Sequence, residues 1–247
     1  MNTPSRPRAT KIICTIGPAT DTSDMLGQLI EAGANVFRLN MSHSKHDWVR
    51  EVVFRIRRKA AELEANVAIL FDLQGPSIRT GDLAEPYHLK KGDTVEIRLG
   101  TAKPELPFST TVNYDGLLQD VQAGHTMVVD NGGILMRIAE VRPDRLICDV
   151  LTEGVFGSRR HINLPGVALR LPALTEKDLA DLAVAVECET DYVAMSFVRD
   201  PAHIAQLREH IDNLGGKAQI VAKIEDQQAV RHIDDIILAA DDIMVAR

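Results

Sequence analysis

Between Lys11 and Phe71 the apolar positions switch back and forth between two spacings. Lys11-Ile12-Ile13-Cys14-Thr15-Ile16 is short, apolar and β-branched and stops at Gly17-Pro18, which predicts a strand followed by a turn. A helix is expected next, capped by Thr22 or Ser23, with Met25, Leu26, Leu29 and Ile30 on one stripe and Gly33 as its stop. Residues 35–40 read as a second strand. Trp48, Val49, Val52, Val53, Ile56, Ala60 and Leu63 then recur at helical spacing, and the Arg- and Lys-rich opposite face reads as a solvated face, not a nucleic-acid patch. Residues 67–71 are apolar throughout, as in a strand buried on both faces.

From Thr80 to Pro172 the texture changes. Short alternating segments such as Thr94-Val95-Glu96-Ile97-Arg98-Leu99 and Met127-Val128-Val129 are separated by Lys91-Gly92-Asp93, Asp130-Asn131-Gly132-Gly133 and Pro143-Asp144. Those are hairpin and turn chemistries, and no helix is expected among them. Thr175-Glu176-Lys177-Asp178 then resembles a capping box opening a helix with Leu179, Leu182, Ala183 and Val186. After it come a strand over 191–197, a helix from Pro201 to about Asn213 and a strand over 218–224. A helix carrying Val230, Ile233, Ile236 and Ile237 leads to a last strand over 242–247. Strand–helix alternation implies a parallel sheet covered by helices. No GxGxxG follows the first strand, so a dinucleotide-binding sheet is disfavoured. The expected fold is therefore α/β, a (β/α)8-type barrel that is incomplete in this chain, with a small all-β barrel domain inserted. The expected division is 1–79 and 173–247 for the barrel and 80–172 for the insertion.

Composition narrows the classes. The chain has 247 residues, 28 basic and 35 acidic side chains, a formal charge of −7, 45% hydrophobic and 26% charged residues. That excludes wholesale disorder. No stretch has the roughly 20 apolar residues of a membrane span, and nothing at the N-terminus resembles a secretory signal. An acidic balance argues against a nucleic-acid partner. Cys14, Cys148 and Cys188 lack CxxC spacing and read as reduced thiols of a cytoplasmic protein, with Cys14 in the core.

Functional groups of parallel barrels sit at the C-terminal strand ends. Arg38, Asn40 and Ser42 alternate along one extended segment and so share a side, which suits phosphate and a hard cation; helix capping and a surface ion pair are the alternative. Asp72 closes an apolar strand ahead of Gly75-Pro76, as a site carboxylate or a loop cap. Lys223 and Glu225 share a face at another strand end. They suit phosphoryl-oxygen neutralisation and magnesium binding, or else form an ordinary salt bridge.

The strings themselves add to this reading. Residues 10–19 (TKIICTIGPA), 37–43 (FRLNMSH), 72–81 (DLQGPSIRTG), 163–166 (NLPG), 171–178 (LPALTEKD) and 222–225 (AKIE) closely resemble the pyruvate kinase family, in its order and spacing. The resemblance implies a barrel with a β domain inserted after its third strand, and transfer of a phosphoryl group from phosphoenolpyruvate to ADP, giving pyruvate and ATP in glycolysis. It implies Lys223 as transition-state stabiliser and Glu225 as one of two magnesium ligands. Arg38 would be a phosphate contact at both the catalytic and nucleotide sites. Asn40, Ser42, Asp72 and the Leu73 carbonyl would form a potassium site. It places His43, Arg79, Arg159 and Arg160 near the nucleotide and makes the β domain a lid. His43 is also readable as a structural helix-start residue, and His46 as surface. Leu73, Gln74 and Ser77 depart from the family's patterns around the cation, and Arg170 stands where many members carry an Asp at the lid hinge.

In the family, Met-Val-Ala-Arg is followed by Gly-Asp, whose Asp is the second magnesium ligand; this sequence stops at Arg247. The expectation is therefore the N-terminal part of a pyruvate kinase, inactive or weakly active alone and without the C-terminal contacts by which the family oligomerises. Two further readings stay open here. One is a short nucleotide- or phosphoenolpyruvate-binding module, or one completed by a partner, without catalysis. The other is a magnesium-dependent, enolate-forming lyase on a related barrel.

Overall fold

The computed structural model describes residues 9–130, 132–225 and 227–246. Asn131 of the expected 130–133 turn, Arg247 of the expected last strand and the N-terminal segment read for a signal lie outside them. The described residues form two compact units: one uses the chain up to Pro76 and again from Ala173, and the other is Ser77–Pro172.

The first unit opens with β1 (Ile13–Ile16), α1 (Ser23–Glu31), β2 (Val36–Asn40), α2 (His46–Glu62) and β3 (Ala68–Asp72). The second contains β4 (Tyr87–Leu89), β5 (Thr94–Arg98), β6 (Ser109–Thr111), α3 (Leu117–Asp120), β7 (Thr126–Val129), β8 (Ile134–Val141), β9 (Arg145–Val150), β10 (Gly154–Phe156) and β11 (Ile162–Asn163). The first unit resumes with α4 (Glu176–Glu187), β12 (Tyr192–Met195), α5 (Pro201–Asn213), β13 (Gln219–Ile224), α6 (Gln227–Arg231), α7 (Ile233–Ala239) and β14 (Asp242–Val245).

The large sheet runs β1-β2-β3-β12-β13-β14, every pair parallel. Within this unit, neighbours in space are neighbours in the chain. Each crossover therefore adds its strand on the same side, without the reversal of strand order that marks a doubly wound sheet. This is barrel winding, with six of a barrel's eight strands among the described residues. One sheet face carries Phe37, Leu39, Ile69, Phe71, Val193, Ile220 and Ala222, packed with Leu26, Ile30, Val52, Ile56, Leu182, Ile204 and Leu207 of the helices. Burying each large side chain stabilises the unit by roughly 2 kcal/mol. The other face holds a smaller apolar layer of Leu70, Ala194 and Val221, flanked by Val36, Tyr192 and Met244.

Caps fix the helix starts. The Thr22 side chain accepts from the Met25 N–H, so Thr22 and not Ser23 is the cap of α1. Thr175 and Asp178 make the full reciprocal capping box of α4, worth about 1 kcal/mol. The basic face of α2 is largely tied down: Arg50 bonds both oxygens of Glu187 at 2.9 and 2.7 Å, and Arg57 reaches Asp191 at 2.9 Å. Leu63 lies just past the helix, as its C-cap. The helix expected after β13 is broken at His232, whose ring Nδ1 bonds the Arg199 carbonyl at 2.8 Å. That break turns Val230 and Ile237 out to solvent and leaves Ile236 buried.

The second unit is a sheet in the order β11-β7-β8-β9-β5-β6 and a β10-β4 pair, around a core that includes Val95, Ile97, Met127, Met136, Leu146 and Phe156. It contains one helix turn that the alternation pattern hides, α3, held by buried Leu117 and by Asp120, which bonds Tyr114 and Arg170. No helix among the described residues is long and apolar enough to cross a membrane.

Candidate functional site

The strand alternation that buries Phe37, Leu39 and Met41 leaves Arg38 and Asn40 on the opposite, inner face. Parallel pairing carries that face across the sheet, since Asn40 is in register with Asp72, Asp72 with Ala194 and Ala194 with Val221. Two residues beyond Ala194 and Val221, at the same parity, come Ser196 and Lys223. A further step of two along the chain brings Glu225. The C-terminal ends of four neighbouring strands thus converge on one polar cluster.

Asp72 is its centre. Its carboxylate is 2% exposed; Oδ2 accepts from Arg38 Nε at 2.6 Å, and Oδ1 lies 3.2 Å from Lys223 Nζ. Arg38 also donates to Thr15 Oγ1 at 2.9 Å. Lys223 Nζ donates to Ser196 Oγ at 2.7 Å and stands 3.3 Å from Glu225 Oε1. Glu225 Oε2 accepts from the Phe197 N–H at 2.9 Å. Two cations and two carboxylates therefore interleave with no formal excess of either sign. The positive groups remain reachable, with Arg38 25% and Lys223 12% exposed. An arriving phosphoryl oxygen meets fixed positive charge here, and a cation meets a fixed carboxylate.

Not every expected residue joins this cluster. Asn40 Oδ1 turns back to accept from the Ser42 N–H at 3.1 Å in the turn ahead of α2; the N-cap of that helix is Lys45, so neither Asn40 nor Ser42 caps it. His43 is exposed on that turn, its N–H 3.5 Å from the Asn40 carbonyl. The Leu73 carbonyl accepts from Ser196 Oγ at 2.8 Å. Asn40 Oδ1 and the Leu73 carbonyl thus each accept one hydrogen bond, while Asp72 is paired with Arg38 and Lys223. Glu225 does suit magnesium, which takes one or two carboxylates and fills its octahedron from substrate and water. Among the described residues no group of three or more His, Cys, Asp and Glu could hold a metal unaided.

Arg79, Arg159 and Arg160 belong to the second unit. Arg79 donates to the Arg159 carbonyl at 3.1 Å. Arg159 is 74% exposed and pairs with Asp82 at 2.7 and 2.9 Å, holding that carboxyl below the usual carboxylate range. Arg160 reaches Asp130 at 3.3 Å, while its Nε is buried without a partner.

The sequence alone does not point to Thr15 or Ser196. Ser196 had a visible signal, since 192, 194 and 196 share a strand face, but a lone Ser at a strand end carries little weight without its partners. His46 is no free surface residue: its Nε2 meets the fully buried Asp181 at 2.7 Å. Lys177 joins the same carboxylate at 2.6 Å and the Met41 carbonyl at 2.7 Å. This clasp ties the β2–α2 turn to α4.

A family model described as pyruvate kinase, barrel domain, matches residues 7–247. The chain is 38% identical over 247 residues to plastidial pyruvate kinase 2 of Arabidopsis thaliana, covering 99% of this chain and 42% of that protein. It is 36% identical over 243 residues to the pyruvate kinase of Staphylococcus aureus strain MRSA252, covering 97% and 41%. Over 244 residues it is 36% identical to pyruvate kinase isozyme G, chloroplastic, of Nicotiana tabacum, covering 98% and 43%. The chain spans about two fifths of the length of these relatives.

Proposed function

The chain belongs to the pyruvate kinase family, and on that premise we propose that its inner-face cluster serves magnesium-dependent transfer of a phosphoryl group from phosphoenolpyruvate to ADP, giving pyruvate and ATP. The observation that carries this is the placement of Lys223 Nζ, 3.2 Å from Asp72, 3.3 Å from Glu225 and hydrogen-bonded to Ser196. Phosphoryl transfer asks little covalent chemistry of a protein; it asks for positive charge held where the equatorial oxygens gain charge. Lys223 supplies that charge on the moving group, and Arg38 supplies it on phosphate oxygens. Asp72 keeps both cations in place without exposing its own charge to the ligand.

Glu225 is the residue that would hold magnesium in this reading. When bound, the ion draws electron density from the phosphoryl oxygens. By match to the family's strings, Arg79, Arg159 and Arg160 are proposed as nucleotide-phosphate contacts within the β unit, and His43, exposed on the β2–α2 turn, as a separate proposal of the same kind. The test is a coupled assay on the protein at its natural length. Pyruvate release that needs phosphoenolpyruvate, ADP and magnesium together is the expected result. No turnover with all three present contradicts it.

A further inference from the structure

Ser196 and Phe197, directly after β12, each hold one member of the Lys223–Glu225 pair. Ser196 is buried; its Oγ accepts from Lys223 Nζ at 2.7 Å and donates to the Leu73 carbonyl at 2.8 Å. The next N–H, that of Phe197, donates to Glu225 Oε2 at 2.9 Å. Phe197 has φ +57°, a left-handed conformation that a side chain with a Cβ rarely adopts. Strain of this kind persists only where its surroundings over-determine it.

The surroundings here are Gly75. It has φ +69° and lies so close that a Cβ on it would be 2.9 Å from Phe197 Cδ2 and 3.0 Å from both Cβ and the carbonyl oxygen of Ser196. Gly75 is itself fixed, its N–H donating to buried Asp178 Oδ1 at 3.0 Å. The α4 capping box thus holds Gly75, Gly75 presses on the Ser196–Phe197 turn, and that turn meets the ends of two long, flexible side chains.

We infer that the Ser196–Phe197 turn, locked by Gly75, is the positioning device of the site: the Ser196 hydroxyl sets the Lys223 ammonium and the Phe197 N–H sets the Glu225 carboxylate. Both are positioning residues, and the inference rests on the phosphoryl-transfer reading for what Lys223 and Glu225 act upon. Preorganisation of this kind acts on turnover more than on substrate affinity.

The test compares Phe197→Gly, Phe197→Ala, Phe197→Val and Ser196→Ala in the protein at its natural length. The readouts are kcat and KM for phosphoenolpyruvate, and manganese affinity by electron paramagnetic resonance. For a turn that needs positive φ, both kcat and manganese affinity fall in the order Gly, Ala, Val, with Val at least about tenfold below Gly in kcat. Packing alone predicts the reverse order, since Val keeps the most apolar bulk. Ser196→Ala is expected to lose about tenfold in kcat with KM changed less than about threefold. Val equal to or above Gly on both readouts, or a fully active Ser196→Ala, overturns the inference. If the unsubstituted protein transfers no phosphoryl group yet the manganese order holds, the positioning role stands and the functional reading falls.

Discussion

Lys223 Nζ stands 3.2 Å from Oδ1 of Asp72, a carboxylate that is 2% exposed and also anchors Arg38 through its other oxygen. Asp72→Ala leaves two partly buried cations without their shared counter-ion. Breaking such a set costs about 3 kcal/mol, to be read as a lower denaturant midpoint, with turnover lost as well. A variant as stable as the unsubstituted protein would show that Asp72 does not anchor the pair.

Asp181 makes a second, independent case. It is fully buried and accepts from His46 and Lys177, which remain partly exposed. Asp181→Ala should cost about 2 kcal/mol, the scale of hydrogen bonds to a charged group. It should also loosen the β2–α2 turn, seen as faster amide exchange over residues 41–46. Unchanged exchange there would contradict the clasp.

High pH should weaken the β unit in a defined window. Burial, then the hydrogen bond to Asp120, pushes the Tyr114 hydroxyl from 10.0 up to about 12. Burial pushes the Cys148 thiol from 9.0 up to about 12. Both folded values are raised, so the unfolded chain releases these protons first. The stability they contribute is present below pH 9 for the thiol and below pH 10 for the phenol, and is lost as pH rises towards about 12. Tyrosinate absorbance should show one late-titrating phenol that Tyr114→Phe removes; a titration unaltered by that substitution contradicts the assignment.

Asn40, Ser42, Asp72 and the Leu73 carbonyl are proposed as a monovalent-cation site on the family resemblance, so turnover is expected to fall about tenfold or more, equivalent to 1.4 kcal/mol, when potassium is replaced by tetramethylammonium. An unchanged rate would contradict that cation site.

The sequence shows what is local. Phe37 and Leu39 alternating with Arg38 and Asn40 reveal which way β2 faces, and Thr175 with Asp178 announces α4, because strand parity and capping are properties of a few adjacent residues. What it hides depends on pairing at a distance. Ser196 matters because β12 lies beside β13, which brings its hydroxyl to Lys223. His46 reads as surface until α4 brings Asp181 beneath it. The His232 break is equally non-local, since its partner is the Arg199 carbonyl after β12. The Leu73 carbonyl shows the same limit: residue type names an acceptor, but only the fold brings the Ser196 hydroxyl to it.

The central claim is that Lys223 is the positive group on the transferring phosphoryl. The most direct measurement is phosphoenolpyruvate-dependent ATP formation by Lys223→Met in the protein at its natural length, with phosphoenolpyruvate binding followed by calorimetry alongside. The account predicts turnover lower by about a hundredfold to a thousandfold, the scale of removing one preorganised transition-state donor, while phosphoenolpyruvate still binds. Normal turnover in that variant would contradict it.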